Sequence, residues 1–259
     1  MHPLAMHADG GIRVFYWLLK NVLIGPLVRL LYRPRITGLE HIPAEGPAII
    51  APNHLSFSDS IFVPLRAPQQ VHYVAKAEYF NGPGLKGRLM AWFFTGVGAV
   101  PVDRSGGRAS VAAIDTGLRT LREGKLFGIY PEGTRSPDGR LHRGRTGVAR
   151  LALAGRVPVI PVGVVGTDLV QPNGKLRWRL GPRPEVRVGA PLDFSRYAGM
   201  EEDRFVLRAV TDEIVAAILA LSGQEYVDMY ATKAKALASR SAAAAAASTA
   251  APSSATEAA

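Results

Sequence analysis

The chain has no cysteine in its 259 residues. That excludes disulfides, thiolate metal sites and a cysteine nucleophile, and it leaves the compartment open. There is no Gly-x-Ser-x-Gly elbow, so the serine of a hydrolase triad has no seat. The six histidines show no metal-ligand spacing: His54, His72 and His142 stand far apart, and no metal is expected. No apolar run reaches the roughly 20 residues that a membrane span needs. The most apolar early stretch, 12–32, is interrupted by Lys20, Asn21 and Arg29 and broken at Gly25-Pro26. Nor is a secretory signal expected, because Met1 to Gly10 carries His2, His7 and Asp9 and no basic start before an apolar core.

Acidic residues are the minority. Lys and Arg number 31 against 21 Asp and Glu, a net charge of +10. From Arg104 to Arg156 the ratio is eleven to four. Such a balance suits an anionic partner, either a membrane surface or nucleic acid. The basic stretch 139–145 belongs to no nucleic-acid module, so no nucleic acid is expected. Within 12–32 two short amphipathic helices are expected. Tyr16, Trp17 and Tyr32 suit a lipid headgroup belt, and Arg33 and Arg35 suit anionic lipid. The alternative is a helix pair packed on the domain's own core.

After Pro34 short apolar runs alternate with helical patterns. Residues 48–51, 71–74, 98–102, 126–130 and 157–165 read as buried strands. Residues 60–65, 85–94, 109–122, 144–154 and 201–221 read as helices. In 109–122, Val111, Ile114, Leu118 and Leu121 fall on one face. The fold class is therefore α/β, with a mostly parallel central sheet flanked by helices. The segment 178–180 and the run 185–188 extend that sheet. Pro158 and Pro161 make 157–165 an edge, a bulged or a groove-lining strand, or plain core. The expected organisation is an interfacial helix pair over 1–35 and an α/β domain over 36–222. A C-terminal helix over 223–238 and a disordered Ala/Ser-rich tail over 239–259 complete it.

Two motifs carry chemistry. Asn53-His54-Leu55-Ser56-Phe57-Ser58-Asp59 places an imidazole and a carboxylate five positions apart across a turn. Asp59 can fix the tautomer of His54 and leave its other nitrogen free to accept a proton, the substrate's own hydroxyl being the nucleophile. Standing alone, the same residues also fit a helix cap beside an ordinary loop histidine. Tyr130-Pro131-Glu132-Gly133-Thr134-Arg135-Ser136 places a guanidinium on a tight turn, able to hold phosphate or carboxylate or simply solvated. Arg104 and Lys76, at the ends of strands, are further phosphate candidates, with Asp103 and Glu78 as alternative salt-bridge partners. The string Gly82-Pro83-Gly84-Leu85-Lys86-Gly87 matches a dinucleotide fingerprint, but no strand precedes it and Pro83 interrupts the turn.

Taken in order, Asn53–Asp59, Val97–Arg104, Tyr130–Ser136 and Val157–Gly163 resemble the four blocks of the glycerolipid acyltransferase family, the bacterial PlsC-like 1-acylglycerol-3-phosphate acyltransferases. Tyr130 stands where the family has Phe, and Pro101 and Val102 depart from its more usual residues. The resemblance covers roughly 36–190, and the N-terminal helices also resemble the family's membrane-docking helices. It implies an enzyme in which His54, oriented by Asp59, activates the sn-2 hydroxyl of a lysophosphatidic acid. That hydroxyl attacks the thioester of acyl-CoA or acyl-carrier protein, and phosphatidic acid results. Lys76, Arg104 and Arg135 would bind the acceptor phosphate. Asn53, Glu132, Gly133 and Thr134 would contact substrate, and Pro161 would lie on the acyl side. The resemblance implies no metal or redox cofactor, an anionic membrane surface as partner, and a monotopic place on the cytoplasmic face of the membrane. Acylation of a different lysophospholipid or glycolipid, and a non-catalytic membrane-binding protein of the same fold, are the alternatives.

Overall fold

The computed structural model describes residues 11, 14–102, 109–173, 175 and 177–250. Arg104 and the end of the tail, 251–259, lie outside them, and of Lys76 only the backbone is described. Nine strands are present among the described residues: β1 (Arg35–Thr37), β2 (Ala48–Pro52), β3 (Val71–Lys76), β4 (Ala99–Val102), β5 (Leu126–Gly128), β6 (Leu141–His142), β7 (Val159–Val165), β8 (Glu185–Val188) and β9 (Tyr226–Val227). Seven form the central sheet in the order β1-β8-β7-β2-β5-β3-β4. Every pairing in it is parallel except β7 with β8. The expected parallel α/β sheet is thus what forms. Residues 178–180 do not join it.

Parallel strands covered on both faces read as unbroken apolar runs. In β2, Ile50 joins Phe62, Leu126, Ile160 and Val162 on one face of the sheet. Ile49 and Ala51 join Phe127, Val159 and three helices on the other. Apart from short 3-10 turns, the helices among the described residues are α1 (Val14–Tyr32), α2 (Asp59–Phe62), α3 (Gly84–Gly96), α4 (Ala109–Arg122), α5 (Gly147–Gly155), α6 (Thr167–Val170), α7 (Arg204–Ser222) and α8 (Ala231–Ala250). Helices α4, α5 and α7 cover the second face. In α7, Leu207, Val210, Ile214 and Ile218 recur at helical spacing and are buried. The Asp203 carboxylate accepts the Phe205 and Val206 N–H groups and starts the helix. Helix α7 lies so close on β7 that a Cβ on Gly163 would stand 2.6 Å from the Leu221 carbonyl carbon. Gly163→Ala therefore lowers stability by about 1–3 kcal/mol, since backbone cannot step aside as a side chain can; a melting curve unchanged from wild type would refute this packing.

Of the readings open for β7, plain core is the one that forms: the strand is central and buried although it contains Pro161, while the two ends of the chain depart from expectation. The ladder to β8 begins one residue later, at Val162, and the Pro161 carbonyl takes the Gly189 N–H at 2.9 Å. Pairing resumes at the Val159–Leu192 bridge, so the missing N–H of Pro161 falls in a gap between two stretches of pairing. At the N-terminus one helix replaces the expected pair. The turn Leu19–Leu23 is π-helical, with the Ile24 N–H on the Leu19 carbonyl. That wider turn lets Pro26 follow without breaking the helix. It also brings the Lys20 carbonyl to 1.7 Å from where a Cβ of residue 25 would be, so only glycine fits. The result is 19 residues long and apolar enough to cross a membrane by length and composition. At the C-terminus, Tyr226–Val227 is a strand pairing with Leu141–His142, not helix. Helix α8 then runs to Ala250 through residues expected to be disordered. Once residues 231–238 have nucleated the helix, the alanine run propagates it by propensity alone.

Candidate active site

Strands β2 and β5 are neighbours, so the loops leaving their carboxyl ends meet. Beyond Pro52 the main chain turns away from the sheet, and the Asn53 side chain takes its place. Its Oδ1 accepts the Val164 N–H at 2.7 Å, and its Nδ2 donates to the Val164 carbonyl at 2.9 Å. The carboxamide imitates one more peptide of β2 against β7. Its Nδ2 also donates to Gln224 Oε1. Asn53 is fully buried, and this anchoring fixes where the next residue begins.

That residue is His54. Its Nδ1 lies 2.9 Å from Asp59 Oδ2. The same Oδ2 accepts the N–H groups of Leu55 and Ser56 at 2.8 and 2.9 Å. Oδ1 accepts the Thr167 hydroxyl at 2.5 Å. Asp59 is fully buried and accepts at every one of these contacts. A carboxylate only accepts, so Nδ1 carries the hydrogen and Nε2 presents its lone pair. Among the described residues Nε2 has no partner, and the His54 side chain is 16% exposed. The ring lies flat on Tyr130, with centroids 3.7 Å apart and planes 13° apart. The Tyr130 hydroxyl is 2.9 Å from Ser60 Oγ, next to Asp59 in sequence. Tyrosine in place of phenylalanine thus ties the turn after β5 to the carboxylate's helix.

The turn after β5 wraps His54. Glu132 Oε1 accepts the His54 N–H at 2.9 Å, and Oε2 accepts the His142 N–H at 3.0 Å. The Ser136 N–H donates to the His54 carbonyl at 2.7 Å. Glu132 is buried, which pushes its carboxyl up to about 7 although both N–H donors favour the charged form. Gly133 has φ +72, and the Arg145 side chain lies across it. Thr134 Oγ1 accepts from Lys235 Nζ at 2.7 Å. Arg135 is half-buried and follows directly.

The structure therefore brings His54, Asp59, Glu132, Gly133, Thr134 and Arg135 together. Asn53, Glu132 and Pro161, expected to touch substrate, are instead buried. The polar atoms of Asn53 and Glu132 are spent on protein partners, and Pro161 lies in the body of β7. All three shape the site from behind. Sequence reasoning missed Thr167, His142, Gln224 and Lys235. Each lies outside the four blocks; Thr167, Gln224 and Lys235 meet partners more than 100 positions away, and nothing local to His142 signals its bond to Glu132. The glycines of the false dinucleotide fingerprint have a packing role: a Cβ on Gly87 would stand 1.8 Å from the Gly82 carbonyl oxygen.

A buried aspartate thus stands behind a histidine whose outer nitrogen bonds no serine hydroxyl among the described residues. The acyltransferase family profile matches residues 33–165, half of the chain and all of this site except Thr167, Gln224 and Lys235. The 1-acyl-sn-glycerol-3-phosphate acyltransferase of Bacillus subtilis is 30% identical over 185 residues, 70% of this chain and 85% of its own length. The chloroplastic enzyme of that name from Brassica napus is 29% identical over 67% of this chain and 49% of its own. This chain thus spans about half the length of its plant relatives. The crystal structure of the acyltransferase PlsC from Thermotoga maritima superposes with a TM-score of 0.57 at 24% identity, covering 83% of this chain and 80% of that one; it shares the fold. The chain belongs to the acyltransferase family.

Proposed function

We propose that the protein transfers a fatty acyl chain from acyl-CoA or acyl-carrier protein to the sn-2 hydroxyl of 1-acyl-glycerol-3-phosphate, giving phosphatidic acid. The observation that carries this is the open Nε2 of His54 backed by Asp59. Nε2 takes the proton of the acceptor hydroxyl as its oxygen attacks the thioester carbon. The C–S bond breaks, the thiolate receives the proton from the imidazolium, and the new ester leaves. Asp59 supports the imidazolium between the two transfers. The basic turn at Arg135 suits a phosphate-bearing acceptor, and the names of the Bacillus subtilis and Brassica napus relatives agree with it. Lys76 and Arg104 remain proposed phosphate ligands at the ends of β3 and β4.

The same reading places the protein on a membrane, at the cytoplasmic face that meets the thioester supply. Helix α1 exposes a row of apolar side chains, Leu30 among them at 69%. Helix α3 beside it exposes Leu85 at 82% and Leu89 at 62%. The domain holds α1 along its length: Phe15 packs on Trp92 with centroids 4.0 Å apart, Lys20 Nζ bonds the Ala67 carbonyl, and Val28 and Tyr32 enter the core. A helix so held lies along a bilayer with its free face down more readily than it threads one.

The test is acyl transfer from oleoyl-CoA to lysophosphatidic acid in liposomes, with other lysophospholipids as competing acceptors and liposome flotation alongside. Phosphatidic acid formed ahead of every competing product, by protein that floats with anionic liposomes, is the expected result. Transfer to another acceptor alone replaces the substrate, and no transfer from either a CoA or a carrier-protein donor sinks the reading.

A further inference from the structure

Three cations from three separate segments converge on the turn that wraps His54. Arg135 belongs to the turn itself. Arg145, from the loop between β6 and α5, lies across Gly133, where a Cβ would stand 2.9 Å from its Cδ. Lys235 reaches in from α8 and donates to Thr134 Oγ1 at 2.7 Å. Nearby arginines have carboxylate partners: Arg140 with Asp138 at 2.7 Å, and Arg143 with Asp228 at 3.3 Å. Among the described residues Arg135, Arg145 and Lys235 have none. The nearest carboxylate, Glu132, is bonded through both oxygens to backbone N–H groups. Partial burial lowers the pKa of the Lys235 ammonium, the Arg135 charge lowers it further, and the Glu132 carboxylate offsets part of this. Like charges gathered with so little counter-charge repel one another, and an anion lying among them relieves that repulsion.

The positions are also fixed rather than free to drift apart. The Arg145 guanidinium stands 5.3 Å over the Tyr230 ring and its Nη2 donates to Thr232 Oγ1 at 3.0 Å. Tyr230 and Thr232 open α8, and β9 before them is pinned to β6. Gln224 is bonded to Asn53 and to the Gly139 carbonyl. The whole segment 223–235 is thereby built into the site, beyond the stretch 33–165 that the family profile matches.

We propose that Lys235, with Arg145, completes the phosphate-binding site that Arg135 begins, so that the C-terminal helix is part of the substrate site. The ligand chemistry is a phosphate monoester: two charges and three terminal oxygens match cations that approach from separate directions. Its source is either the acceptor's phosphate or a phosphate of the acyl donor. The assignment deepens the acyltransfer reading and rests on it for the source, but not for the anion.

The discriminating substitution is Lys235→Gln, whose amide still donates to Thr134 and still anchors α8, while the charge is gone. Lys235→Arg restores the charge. The first readout is the rise in melting temperature of the full chain on titration with inorganic phosphate, which needs no turnover. The second is the Michaelis constant for lysophosphatidic acid, for oleoyl-CoA, and for an oleoyl thioester of N-acetylcysteamine, which carries no phosphate. Lys235→Gln should abolish the phosphate-induced rise and increase one Michaelis constant about 10- to 100-fold, the scale of one lost charge-assisted hydrogen bond, with kcat little changed. Lys235→Arg should recover both. An increase for lysophosphatidic acid alone assigns the acceptor's phosphate, and one for oleoyl-CoA that spares the phosphate-free donor assigns the donor's. If wild type acylates no lysophospholipid, the enzymatic reading falls, and the phosphate titration alone still decides this site. Phosphate stabilisation equal in wild type and Lys235→Gln, or Michaelis constants unmoved by the loss of charge, overturns the proposal and leaves Lys235 a structural tie.

Discussion

His54→Ala lowers the turnover of acyl transfer by about 10²–10⁴-fold, the usual worth of a positioned general base. Affinity for lipid substrates and binding to liposomes stay close to wild type. The reason is geometric. The imidazole's contacts are the Asp59 carboxylate and the Tyr130 face, and its outer nitrogen contributes to no fold-forming bond. The backbone of residue 54, by contrast, is held at both ends by Glu132 and Ser136, and alanine keeps both of those bonds. The variant should therefore be folded, membrane-bound and slow. Steady-state kinetics of wild type and variant, with liposome flotation alongside, decide the matter. A variant keeping more than a tenth of the wild-type turnover would remove His54 from the chemistry, and with it the separation drawn between the base and the residues behind it.

That separation also marks how far the sequence could be read. The base and its carboxylate are five residues apart, and the strands that present them are short apolar runs between turns, so both are visible locally. Helix α4 appears at 109–122 as its apolar spacing predicts. What escapes is whatever depends on a partner far along the chain or on an unusual backbone. Asn53 looks like a residue that faces substrate because it adjoins His54, yet its amide is used as an extra rung of the sheet, 111 positions from Val164. Gly25-Pro26 reads as a helix break because the π turn before it has no sequence signature of its own. Pro161 leaves edge, bulge, groove wall and plain core all open, because only the three-dimensional register shows that its missing N–H falls between two stretches of pairing. The alanine-rich tail reads as unstructured because nothing in it packs, whereas helix once started needs only propensity to continue. The segment 223–235 carries no block of the family pattern, so its reach into the site is visible only in the fold.

The removal of the Glu132 carboxylate should be the most damaging change to the fold around the site. Glu132→Ala leaves the His54 and His142 N–H groups without acceptors, and each orphaned buried donor costs about 1–3 kcal/mol. It also releases the start of the His54 loop, and a displacement on the order of 1 Å at a base can cost about 10²-fold in rate. Loss of both stability and turnover is expected here, where His54→Ala loses turnover alone. The pH dependence of stability gives an independent check. The Glu132 carboxyl is raised by burial from its ordinary 4.5 to about 7. Between those values the native chain holds a proton that the unfolded chain has released, so stability is fullest below the lower value and falls as pH rises through the upper one. Glu132→Gln cannot titrate and should lose that slope, while its amide nitrogen, facing a backbone N–H, costs part of the stability that Glu132→Ala loses whole. Chemical denaturation of both variants and wild type across this window tests the assignment. A wild-type slope that persists in Glu132→Gln would place the titrating group elsewhere. Unaltered turnover in Glu132→Ala would mean that the turn after β5 does not hold the base at all, and that Asp59 and Asn53 suffice.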